Sequence, residues 1–132
     1  MDYFDYGESS SFDVEEFLEK SQEQERQCLE KELDGIEEQL ESREEIHQET
    51  LDELESKLNW YITRLNQLYK RGTGKQGERD RSKQVIDQLY KSIREEKRSN
   101  WLDQQELQSE RRKVLRELEE LDQNISDLLN SI

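Results

Sequence analysis

The sequence predicts an all-α fold: a long antiparallel coiled-coil helical hairpin with a short flexible N-terminal tail. Three observations predict it. Apolar residues recur at alternating steps of three and four through most of the chain. There is no Pro, and three of the five Gly fall in one short stretch. The apolar pattern before that stretch mirrors the pattern after it.

Composition narrows the class. Of 132 residues, 41% are charged and 30% hydrophobic, with a mean hydropathy of -1.29. A thick-cored globular enzyme normally needs about 45–50% apolar residues. A narrow apolar seam along long helices needs far fewer.

Residues 1–12 are expected to form an acidic-aromatic flexible tail. Tyr3, Phe4 and Tyr6 stand among acids, the composition of a short motif that folds into a partner's groove. Helix one is expected over 13–70. Asp13 and Glu16 have capping-box spacing, and Phe12 and Phe17 the spacing of a hydrophobic staple, so the helix starts at Val14. Its seam reads Leu29, Leu33, Ile36, Leu40, then Leu51, Leu54, Leu58, Tyr61, Leu65 and Leu68. Between Leu40 and Leu51 only Ile46 is apolar. The extra step of four is a stutter, which relaxes a left-handed supercoil.

A glycine-rich basic turn is expected over 71–78, with Gly72, Gly74 and Gly77, and helix two over 79–132. The second seam runs Ile86, Leu89, Ile93, weakens around Trp101 and Leu102, then continues Leu107, Val114, Leu118, Leu121, Ile125, Leu128 and Ile132. Arg111 is its one polar position after Leu107.

A turn centred on Gly74 makes facing residue numbers add to about 148. Leu58 then faces Tyr90, Ile62 faces Ile86, Leu33 faces Leu115, and Cys28 lies near Leu121. The weak seams also meet, Ile46 near Leu102 and His47 near Trp101. A parallel homodimer of one interrupted helix explains the heptads equally well but leaves the mirrored interruptions as coincidence. A lone pair of helices buries little area, so assembly into a helical bundle with itself or a partner is expected. Trp60, Tyr61, Tyr69 and Tyr90 widen the apolar face beside the turn and are the expected partner-binding surface.

No catalytic, cofactor or metal constellation is legible, and neither a cofactor nor a small-molecule substrate is expected. His47 is the only histidine and reads as a seam residue at a polar break. Cys28, the only cysteine, reads as a small buried residue and forms no internal disulfide or zinc cluster. Gly74-Lys75 lacks the earlier glycine and the following Ser or Thr of a phosphate-binding loop, since Tyr69 and Gln76 stand there. With no apolar run of about 18–20 residues and no signal peptide, a soluble intracellular protein is expected.

Charge is unevenly spread. The net charge is -14, yet residues 70–98 carry 10 basic and 5 acidic side chains. Lys70, Arg71, Lys75, Arg79, Arg81 and Lys83 form a basic tip. Two functions follow as expectations. The first is a non-enzymatic adaptor, scaffold or small structural subunit that binds protein partners or a second copy through coiled-coil faces. The alternative is a nucleic-acid-binding regulator whose tip contacts phosphates.

Overall fold

The computed structural model describes residues 13–72 and 76–131. They form two helices, α1 (Val14–Arg71) and α2 (Gln76–Asn130), with no strand among the described residues. The tail residues Tyr3, Phe4 and Tyr6 lie outside this range, as do Phe12, Gly74, Lys75 and Ile132.

Asp13 starts α1. Its Oδ1 accepts from the backbone N–H of Glu15 at 3.0 Å and of Glu16 at 3.3 Å, satisfying two donors that have no partner within the helix. The Glu16 carboxylate is engaged one turn on, with Lys20 Nζ at 3.1 Å. At the other end Gly72 has φ +63°, the left-handed conformation that ends helices at low cost only for glycine. The break is narrower than the 71–78 expected. Arg71 still belongs to α1, and α2 already includes Gln76 and Gly77. First-turn N–H groups need no partner four residues back, so Gly77 there does not interrupt the helix.

The described chain divides into two compact units. In each, the two helices pack against each other, consistent with a helical hairpin. The loop unit spans Glu38–Ser109. Leu51, Leu58, Ile86, Leu89 and Ile93 form its buried cluster, with Leu54, Tyr61, Ile62, Leu65 and Val85 packed against it. The steps of three and four put these side chains on one stripe of each helix.

The terminal unit comprises Met1–Glu37 and Glu110–Ile132. Ile36, Val114 and Leu121 are buried there, while Leu29, Leu33, Leu118 and Ile125 are half-buried. Arg26 pairs with Asp122, and Arg111 Nε donates to Glu37 Oε1 at 3.3 Å. Arg111, the polar interruption of the second seam, thus reaches a carboxylate on the opposite helix.

Three expected neighbours need correction. Tyr90 is 44% exposed and Leu115 37% exposed, whereas the preceding residues, Leu89 and Val114, are buried. Leu89 keeps step with Ile86 and Ile93, and one further residue turns a side chain by about 100° off that stripe. Cys28 is exposed for the same reason, since Leu29 holds the seam position. The weak seams do not meet through Ile46, Trp101 and Leu102, which are 55%, 60% and 51% exposed. A polar set fills that level instead.

Candidate partner-binding surface

Where the seam leaves out apolar residues, Arg43, His47, Glu96 and Asp103 come together. The Arg43 guanidinium donates through Nε to Asp103 Oδ2 and through Nη1 to Glu96 Oε1, both at 2.9 Å. His47 Nδ1 meets the same Glu96 oxygen at 3.1 Å and is its donor while Glu96 is ionised. His47 is 8% exposed. Burial pushes the Glu96 carboxyl up, but the hydrogen bonds from His47 and Arg43, with their charges, outweigh it and hold it below its ordinary value of 4.5. Arg43 is held above its ordinary value, first by the bond to Asp103 and then, against burial, by Glu96. Gln104 Nε2 adds a long bond to the Leu40 carbonyl at 3.4 Å.

Each member of this set is satisfied by another member, which suits it to fixing how the two helices meet. Sequence reasoning saw His47 alone. The available signal was spacing: Arg43 and His47 are one turn apart on α1, and Glu96 and Asp103 one heptad apart on α2.

Of the expected aromatic surface, Tyr61 is half-buried and packs against the loop-unit cluster, so it is core rather than surface. Trp60 is 61% exposed, with its ring edge-to-face on Tyr61 at 4.8 Å and 83°. Tyr69 is 47% exposed. Nine residues on from Trp60, about two and a half turns, it leaves α1 on the opposite side. Trp60 and Tyr69 are therefore not one patch, and Tyr90 lies on the other helix. Trp60 borders a shallow depression with Asn59, Thr63, Arg64 and Gln67, all on one outward strip of α1. From Leu58 to Tyr69, Arg64 is the only charged residue.

The basic tip also separates into parts. Arg79 and Lys83 lie over the Tyr69 ring, at 5.3 Å and 5.5 Å from its centroid. The neighbouring Tyr69 phenol holds the Lys83 ammonium above its ordinary value. Lys70 and Arg71 occupy the last turn of α1, where the helix dipole favours cations. Arg81 is exposed.

Among the described residues, no group of three or more His, Cys, Asp or Glu is placed to hold a metal ion, and no helix is long and apolar enough to cross a membrane. A family model matches residues 1–130. The chain belongs to that family, described as a family of unknown function (DUF8104). No curated protein and no solved structure matches the chain. Helix pairing, the polar set and the exposed aromatic strip therefore carry the functional argument for this DUF8104 member.

Proposed function

We propose that this chain is a non-enzymatic, intracellular adaptor or scaffold, an antiparallel coiled-coil hairpin that joins a helical assembly through the outward strip of α1 around Trp60. One observation carries the reading: an indole 61% exposed within a stretch holding a single charge, on a chain that is 41% charged. Interface centres are depleted in charged residues and rely on buried Trp and Tyr anchors. Asn59, Thr63 and Gln67 would supply uncharged hydrogen-bonding groups around that anchor. The antiparallel sense is supported by the ion pairs, which join early α1 residues to late α2 residues (Arg26 to Asp122, Glu37 to Arg111) and later α1 residues to earlier ones (His47 to Glu96).

The test is capture of the tagged protein and its Trp60→Ser variant from native lysate, compared by mass spectrometry. A partner, or a second copy, held by the native chain and lost from the variant supports the reading. Identical partner sets would sink it. Trp60 is exposed enough for the variant to stay helical, which circular dichroism checks.

The nucleic-acid alternative rests on the basic tip. It has less support, because Tyr69, the ring that could stack on a base, already has Arg79 and Lys83 lying over it. Binding that is abolished by charge reversal at Arg79 and Arg81, and that weakens steeply with salt, would revive it.

A further inference from the structure

A second exposed stripe lies on α2, apart from the Trp60 strip. Tyr90, Arg94, Lys97, Arg98 and Trp101 follow steps of four, three, one and three. At about 100° per residue, all five fall within roughly 100° of one another around the helix. All are exposed, Tyr90 at 44% and Trp101 at 60%.

The acids closest in sequence are committed elsewhere. Glu95 pairs with Lys91 at 4.0 Å, and Glu96 is bound by Arg43 and His47. Asp87 stands one turn before Tyr90, at the end of the stripe. Arg94, Lys97 and Arg98 make no ion pair among the described residues. Three uncommitted cations thus sit between two exposed rings.

The complement of such a stripe is an acidic segment with aromatic rings of its own, and the chain contains one. Residues 1–12 include Asp2, Asp5 and Glu8, the rings of Tyr3, Phe4, Tyr6 and Phe12, and no Lys or Arg. We infer that residues 1–12 of one copy bind the Tyr90–Trp101 stripe of a second copy. Carboxylates of the tail take charge-assisted hydrogen bonds from Arg94, Lys97 and Arg98, and its rings pack on Tyr90, Trp101 and the guanidinium faces. Two chains of net charge -14 repel at long range, but at physiological salt that repulsion is screened beyond about 8 Å. A short-range match of opposite charges then decides where they touch.

The test uses a labelled peptide of residues 1–12 and the full-length protein, read by fluorescence anisotropy, with sedimentation of the full-length chain alongside. The peptide should bind, and Arg94→Glu/Lys97→Glu/Arg98→Glu should weaken binding at least tenfold. The Gln triple variant, which removes charge without reversing it, should give an intermediate loss. Binding should weaken as salt rises, and the concentration-dependent association of the Trp60→Ser full-length protein should disappear when residues 1–12 are deleted. Peptide binding unaffected by the triple reversal overturns the inference. So does self-association of the Trp60→Ser protein that survives deletion of the tail, or a stripe-dependent complex that nuclease dissolves. Trp60→Ser should leave peptide binding unchanged, so this contact and the adaptor surface fail separately.

Discussion

The loop unit and the terminal unit are built from the same two helices, yet they bury and charge themselves differently. By sequence, the terminal unit holds 19 acidic and 7 basic residues, a balance of -12, and the loop unit 15 and 13, a balance of -2. Five buried residues form one cluster in the loop unit, with five more packed against it. Ile36, Val114 and Leu121 are the buried apolar residues of the terminal unit. The loop unit also holds the Arg43–His47–Glu96–Asp103 set and the exposed aromatics Trp60, Tyr69, Tyr90 and Trp101. The comparison teaches that apolar residues recurring at helical spacing do not imply constant stability. Continuity of burial and local charge balance decide it, and both favour the loop unit.

The largest test of that difference is in the cores. Leu58→Ala removes a side chain 8% exposed from within the cluster and should cost about 3 kcal/mol. Leu121→Ala, at a site 7% exposed but with fewer buried neighbours to hold a cavity open, should cost about 2 kcal/mol. Urea midpoints measure both. Equal losses would break the comparison. Should Leu58→Ala not fold, Ile93→Val gives the same reading at about 1 kcal/mol.

The polar set makes the next prediction. Glu96→Gln keeps the shape but removes the charge that Arg43 and His47 share, and should cost about 2 kcal/mol. The folded Glu96 carboxyl titrates below its ordinary value of 4.5. Its contribution is therefore complete above about that pH and is lost as pH falls through the lowered folded value. Thermal midpoints of the native chain should drop more steeply than those of Glu96→Gln as pH falls below 4.5. Parallel curves would show that the set does not contribute through this charge.

Gly72→Ala should cost about 1 kcal/mol, because an L side chain resists the left-handed conformation at φ +63°. An added Cβ would meet nothing within 4 Å, so the penalty is conformational rather than steric crowding. Refolding after urea, with the midpoint compared to the native chain, isolates it. No loss would mean that Gly72 leaves that conformation freely.

The seam was the legible part of this fold. Leu51, Leu58, Ile86, Leu89 and Ile93 announce themselves through spacing, because each is apolar and a helix has only one way to place such a series. The level between Leu40 and Leu51 was not legible, since charged residues dominate both helices and periodicity does not say which of them turn inward. Arg43 and Glu96 are two such residues, and only contact with each other distinguishes them from their neighbours. The Trp60 surface was half legible. Composition pointed to surplus aromatics, but Tyr61 went to the core and Tyr69 to Arg79 and Lys83, for reasons of helical phase.

The smallest effect belongs to the start of α1, and it sharpens the contrast between the units. Asp13 accepts from Glu15 and Glu16 but makes both bonds at an exposed position. Asp13→Ala should therefore cost only about 0.5–1 kcal/mol of helix stability. In the loop unit an equal loss would be resisted by the cluster. In the terminal unit the first turns carry Val14 and Phe17 exposed at 56% and 54%, so little buried area holds them once the cap is gone. Amide exchange should accelerate over the first turns of α1 while the amides around Leu58 and Ile86 keep their protection. Acceleration spreading to the loop unit would mean that the two units open together and that the cap serves the whole chain.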